Sequence, residues 1–233
     1  MNALFRFVGV RCEGSDRAYS FTLHAGETRL LQLASKAEKD AMMDLVTGET
    51  TDGEGSIEIA QGDRRHNNVA MIAQQEERRR SNEPIPKIWQ ALRESRSGRV
   101  GWVAANGGLI SNLKIWENVT LPLWYHTQCG VGETEQRLTY WLGVLGLGQE
   151  DVAEEFMSAP PYRLEPWQRK LAGLLRALVQ MPRVLVVDAV LFEDIKARVA
   201  QNWMTALEEY AAQGRTVLVM ADKATTLSWE KIE

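Results

Sequence analysis

Two short, almost wholly apolar runs constrain this chain most: Val184–Val187, closed by Asp188, and Thr216–Met220. Neither alternates, so each reads as a strand of a parallel sheet buried on both faces. Between them Ile195, Val199, Trp203, Leu207 and Tyr210 fall on one helical face that runs to Gly214. Ahead of them Pro166 stands at a helix N1 position. Behind it come Leu171, Leu174, Leu175, Leu178 and Val179 at helical spacing, and Pro182 stops the pattern. Strand, helix, strand, helix, strand predicts an α/β domain with a parallel sheet.

The first half carries other patterns. Tyr19, Phe21 and Leu23 alternate with polar residues, as in a half-buried strand, and Ala25-Gly26-Glu27 supplies a turn. Thr28–Leu33 predicts a more buried strand, followed by a helix through Leu45 that Gly48 ends. Ser56–Ala60 and Arg99–Ala104 predict further strands. The stretch between them is polar, and a surface insertion with some helix over Ile88–Arg93 is expected there. Glu133–Leu145 puts Leu138, Trp141, Leu142 and Leu145 on one helical face, punctuated by Gly146 and Gly148.

Composition narrows the function classes. With 233 residues, 45% hydrophobic and 25% charged, the chain has material for a sizeable core. Its net charge of −4 offers nucleic acid no strong field, although residues 63–99 carry nine basic against five acidic side chains. No uncharged run reaches the roughly 18 residues of a membrane helix, and the N-terminus lacks the basic stub and apolar core of a secretory signal. Cys12 and Cys129, with only His24, His66 and His126, form neither a metal-ligand spacing nor a disulfide framework. A cytoplasmic location is expected.

Laid in order, these elements resemble the nucleotide-binding subunit of an ABC transporter over nearly the whole chain. Gly26-Glu27 resembles the turn before the family's phosphate-loop strand, and Gly48 with Gly55-Ser56-Ile57 matches a stretch that follows it. Leu109–Leu147 resembles the segment after the Q-loop, and Leu123–Gln128 is similar to the Mla branch, ATPases of bacterial lipid transporters that work with a permease and an MCE protein. Leu164–Leu178 aligns without a gap on the family's signature and Arg183–Asp188 on its Walker B strand. The resemblance implies a P-loop NTPase-like ABC nucleotide-binding domain: a RecA-like parallel core, an antiparallel β subdomain and a helical subdomain, short at its C-terminus, with the family's last strands missing. It implies one domain over residues 1–233, with 1–105 and 180–233 forming the β and RecA-like core around a basic insertion at 63–99, and 106–179 the helical subdomain.

The motifs that carry the family's chemistry are altered position by position. A phosphate loop uses glycines so that backbone N–H groups can close on phosphate, a lysine to neutralise it and a hydroxyl to hold Mg²⁺. The aligned residues are Leu33, Glu38, Lys39 and Asp40, and no glycine lies between Glu27 and Thr47. Carboxylates flank the one surviving lysine, where they repel a triphosphate. Ser35-Lys36-Ala37-Glu38 also spells a capping box, with Ser35 as cap and Glu38 reaching back to it, so that the anion a phosphate loop borrows from ATP is built into the chain. Lys39 is either a surviving phosphate ligand or a salt-bridged or solvated lysine. Asp188 is either a metal-shell residue or a strand-end carboxylate in a buried network.

After Asp188 the general-base position holds Ala189, and a methyl group cannot take a proton. The Q-loop glutamine position holds Ala105 and the switch histidine position Asp222. In the signature, Leu164 and Gln168 match the ends, while Glu165, Pro166 and Trp167 replace the Ser-Gly-Gly that faces a γ-phosphate. The family's adenine-stacking aromatic falls near Cys12. No catalytic residue and no metal ligand is therefore assigned, with Lys39, Asp40, Asp188 and Gln168 the remaining nucleotide-site positions, and Mg-ATP binding is expected to be weak or absent.

The function implied is a catalytically degenerate subunit, structural or regulatory, docked on a membrane permease through Leu109, Trp116, Glu117 and Trp124. Expected partners are the permease, an MCE-type protein, and a second copy or an active ABC ATPase; nucleic acid is not expected. The expected place is the inner face of the cytoplasmic membrane. Two readings compete: a divergent, active ATPase using Lys39 and Asp188 with helpers such as Asp40 or Asp222, and an interaction module whose basic patch around Arg78-Arg79-Arg80 binds anionic lipid or nucleic acid.

Overall fold

The computed structural model describes residues 3–47, 50, 53–62, 69–71, 100–126, 129–223, 225 and 231–232. The helix expected at Ile88–Arg93 and the Arg78-Arg79-Arg80 patch lie outside them.

The described residues form two sheets. Five parallel strands, β3 (Thr28–Leu33), β6 (Val100–Val103), β7 (Val184–Asp188), β8 (Thr216–Asp222) and β9 (Lys231–Ile232), stand in the order β6-β7-β8-β3-β9. The four remaining strands, β1 (Ala3–Cys12), β2 (Tyr19–His24), β4 (Gly53–Gly62) and β5 (Val69–Met71), make an antiparallel sheet in the order β2-β1-β4-β5. Strand β9 corrects the expectation of missing last strands: Lys231 and Ile232 pair with Leu30 and Leu31 at the sheet edge.

Strand period 2 divides the core between the faces of the parallel sheet. Leu30, Leu185, Val187, Val217 and Val219 belong to the cluster under the helices, whereas Leu31, Leu33, Val184, Val186, Leu218 and Met220 belong to the one shared with the antiparallel sheet and α1 (Lys36–Thr47). Every residue of β7 is buried, as expected for a strand covered on both sides.

On the first face lie α5 (Pro166–Gln180) and α6 (Ala197–Ala212), with α2 (Ile115–His126), α3 (Val131–Val144) and α4 (Glu150–Ser158) around them. Trp141 and Trp203 fill this core as their helical spacing predicts. Pro166 takes N1 of α5, and Met181 ends the helix in the left-handed region at φ 52°. The turn after β6 lies directly on α5: a Cβ on Gly107 would stand 2.2 Å from the Arg169 carbonyl oxygen, and one on Gly173 2.6 Å from the Gly107 Cα. Glycine at both positions permits that approach. No helix among the described residues is long and apolar enough to cross a membrane.

Candidate functional site

The C-terminal ends of β3, β7 and β8 bring together the positions aligned on the phosphate loop, Walker B and the switch histidine. The β3–α1 connection is only Ala34-Ser35, so Glu38 and Lys39 sit in the first turns of α1. Ser35 caps that helix: its hydroxyl oxygen accepts from the Glu38 N–H at 3.2 Å, and its carbonyl accepts from the Lys39 N–H at 3.0 Å. The other half of the capping box differs from expectation. The Glu38 Oε2 accepts from the Ala34 N–H at 2.7 Å, one residue before the cap, because its Oε1 is held on the far side by Ser15 Oγ at 2.5 Å and Tyr19 OH at 3.1 Å.

Glu38 is buried, and burial pushes its carboxyl up. The hydrogen bonds from Ser15, Ala34 and Tyr19, with the Arg17 charge, outweigh burial and hold it below the usual 4.5. Its charge acts on its neighbours in turn: burial, then Glu38, raise Tyr19 to about 12 and Cys12 to about 11. Arg17 lies 5.1 Å over the Tyr19 ring.

Lys39 is 1% exposed, and its Nζ donates to both carboxylate oxygens of Asp188 at 2.7 Å and stands 3.4 Å from Asp40 Oδ1. Burial lowers the Lys39 pKa, and the hydrogen bonds and charges of Asp188 and Asp40 raise it further, leaving it above 10.5. Asp188 Oδ1 also accepts from the Val190 N–H at 3.0 Å, which closes the short turn holding buried Ala189. Lys39 and Asp188 thus bind each other across 149 positions of sequence.

The remaining polar positions have local partners. Asp222 Oδ1 accepts from the N–H and hydroxyl of Thr225, both at 3.1 Å. Gln168, at N3 of α5, accepts on its Oε1 the N–H of the N-cap residue Glu165 at 2.9 Å, as part of a capping box. Ala105 lies in the turn on α5, whose Gly108 and Gly107 carbonyls receive Arg176 Nη1 and Nη2 at 2.8 and 3.1 Å. Glu117 Oε2 accepts from the Lys114 N–H at 2.7 Å and caps α2. Among the described residues no three His, Cys, Asp or Glu side chains gather where they could hold a metal ion.

Helix α2 turns a different face to solvent. Ile115, Val119 and Leu123 are fully buried, while Trp116 and Trp124 are 39% and 55% exposed, with ring centroids 6.0 Å apart. Leu109 is half-buried against the helical cluster, and Ile110 is 45% exposed. Buried Asn118 fixes the loop before the helix: Ile110 N–H donates to its Oδ1 at 2.7 Å, and its Nδ2 donates to the carbonyls of Ile110, Leu113 and Lys114 at 3.0 to 3.1 Å.

Sequence reasoning missed Ser15, Arg17, Tyr19, Asn118 and Arg176. Tyr19 was legible only as a strand residue, and Ser15 and Arg17 lie in a turn without periodicity.

No protein-family model matches the chain, and no curated protein sequence matches it significantly. Solved structures do. The ATP-binding subunit of an ABC transporter superposes with a TM-score of 0.69 at 15% identity, over 94% of this chain and 80% of that one. A dimeric ATP-binding cassette in a post-hydrolysis state, bound to ADP and Pi, gives 0.62 at 20% identity over 94% and 88%. The cbiO1 protein of Clostridium perfringens, part of an ABC transporter complex, gives 0.66 at 16% identity over 96% and 80%. Together with the parallel core, the antiparallel sheet and the helices, these matches show that the chain has the α/β fold of an ABC nucleotide-binding domain.

Proposed function

We propose that the chain is a catalytically degenerate ABC ATPase-like subunit of a bacterial membrane transport complex, structural or regulatory in role. The observation that carries this reading is the buried pairing of Lys39 with Asp188. A triphosphate placed here would meet the carboxylates of Glu38, Asp40 and Asp188, and it would have to part an ion pair before Lys39 could reach it. Breaking a buried pair costs about 3–5 kcal/mol. Ala189 leaves no general base beside Asp188, and Gln168 is engaged with the Glu165 N–H in the capping box of α5. The residues present do not fit Mg-ATP.

Docking on a permease is supported by the outward tryptophans of α2 and by the exposed Ile110 in the loop that Asn118 fixes to that helix. An exposed aromatic pair on a preorganised backbone suits an interface. The similarity of Leu123–Gln128 to the Mla branch supports lipid as the transported class, with an MCE-type partner and a place on the inner face of the membrane. One structural neighbour is itself part of a transporter complex and another is dimeric, so pairing with a second copy or with an active ATPase belongs to the same reading.

Two measurements test it. Purified protein should release no phosphate from Mg-ATP; turnover that Lys39→Ala abolishes would defeat the reading. Protein captured from solubilised membranes should carry a permease with it, and loss of that partner in Trp116→Ala/Trp124→Ala should follow. A chain recovered only as a free monomer contradicts the docking half.

A further inference from the structure

The Glu38 carboxylate is buried, yet among the described residues it makes no ion pair. Three neutral donors from three places in the chain converge on it: the Ala34 N–H after β3, the Ser15 hydroxyl in the β1–β2 connection and the Tyr19 hydroxyl at the start of β2. An isolated buried carboxylate is unfavourable by several kcal/mol unless such donors are fixed before it arrives. These donors are fixed. Ser15 is held by its N–H on the Cys12 carbonyl and by the Arg17 N–H on its own oxygen, and Tyr19 is 5% exposed under the Arg17 guanidinium. Only the Ala34 N–H belongs to the entry of α1; the two hydroxyls approach from the antiparallel sheet, so the arrangement is a cradle rather than a bare helix terminus.

We infer that Glu38 is a tethered ligand: its carboxylate fills an oxyanion cradle made by Ala34 N–H, Ser15 Oγ and Tyr19 OH, and the cradle takes up a free small oxyanion when that side chain is cut away. The ligand class is a compact anion of the size of a carboxylate or inorganic phosphate. The inference does not depend on permease docking, and it extends the proposed function by giving Glu38 a positive role, that of latching the β1–β2 connection onto α1. A nucleotide is not expected to substitute, because Lys39 and Asp188 stay paired next to the cradle.

The test uses chemical rescue in the full chain. Glu38→Ala should melt lower than wild type at pH 7, and acetate or inorganic phosphate should restore its melting temperature saturably at millimolar levels, against chloride at equal ionic strength. Wild type should show only the shift that any salt produces. Adding Tyr19→Phe to Glu38→Ala should raise the anion concentration needed about tenfold, the effect of one charge-assisted hydrogen bond. Equal responses in wild type and Glu38→Ala, or no saturable rescue, would overturn the inference; rescue by Mg-ATP but not by phosphate would instead defeat the proposed function. Should Glu38→Ala not fold, the cycle between Glu38→Gln and Tyr19→Phe decides. Coupling of about tenfold in the folding equilibrium is expected, and additive effects overturn the cradle.

Discussion

Two regions on the rim of the parallel sheet treat side-chain chemistry in opposite ways. In the β3–α1 connection and first turns of α1, polar groups turn inward and bind one another: Glu38 to Ala34, Ser15 and Tyr19, and Lys39 to Asp188. On α2 and the loop before it, apolar groups turn outward, with Ile110, Trp116 and Trp124 exposed over a backbone fixed by Asn118. In the first region the buried charges of Glu38 and Lys39 are bound within the chain. The second has apolar surface left for a partner. Fold maintenance accounts for the pairing in the first, because a buried ammonium needs its partner, but not for the second, where the core would tolerate polar residues.

The strongest way to break the comparison is at Asp188. Asp188→Ala leaves the Lys39 ammonium buried without its partner and should cost about 3–5 kcal/mol in urea unfolding. Lys39→Met combined with Asp188→Leu should cost less than either single change, because both charges leave together. If Asp188→Ala were neutral, the inward pairing would not be stabilising the site.

Next comes Gly107→Ala, which tests the turn seated on α5 that leads into the loop carrying Ile110. Its Cβ would meet the Arg169 carbonyl at a backbone φ of +86°, and a loss of about 1–3 kcal/mol is expected.

Acid titration sharpens the inward region further. Glu38 sits below its usual 4.5, so its contribution is fully present above 4.5 and is lost as pH falls through the depressed folded value. Wild type should therefore exceed Glu38→Gln by about 1–2 kcal/mol at pH 7, and the gap should close in acid. Lys39 works in the other direction: raised above 10.5, it stabilises below that pH and its contribution fades only as pH climbs through the folded value. A gap that persisted in acid would show that Glu38 acts through shape and not through charge.

The smallest effect belongs to the outward region. Trp116→Ala and Trp124→Ala should change stability by less than about 0.5 kcal/mol each, while partner capture falls. Large destabilisation would make these tryptophans structural and remove the contrast.

How much of this was legible in sequence follows from the range of each interaction. β3, β7, β8, α5 and α6 follow directly from apolar runs and helical spacing, because burial imposes those patterns locally. Helix α2 was visible only through resemblance: Pro122 lies inside it, and its exposed tryptophans blur the apolar stripe. Helix α4 escaped because Phe156 is its one buried residue, and β9 because a two-residue edge strand has no period. At the site, the Ser35 cap was readable from its spacing to Glu38. The Glu38 partners lie 19 and 23 positions back and the Lys39 partner 149 ahead, distances that no local pattern encodes.

Calorimetric titration of Mg-ATP into the purified full chain tests the central claim most directly, that the buried charges of Glu38, Lys39 and Asp188 are already satisfied from within. No saturable heat is predicted up to millimolar nucleotide, for wild type and Lys39→Ala alike. Saturable binding by wild type that Lys39→Ala removes would contradict it.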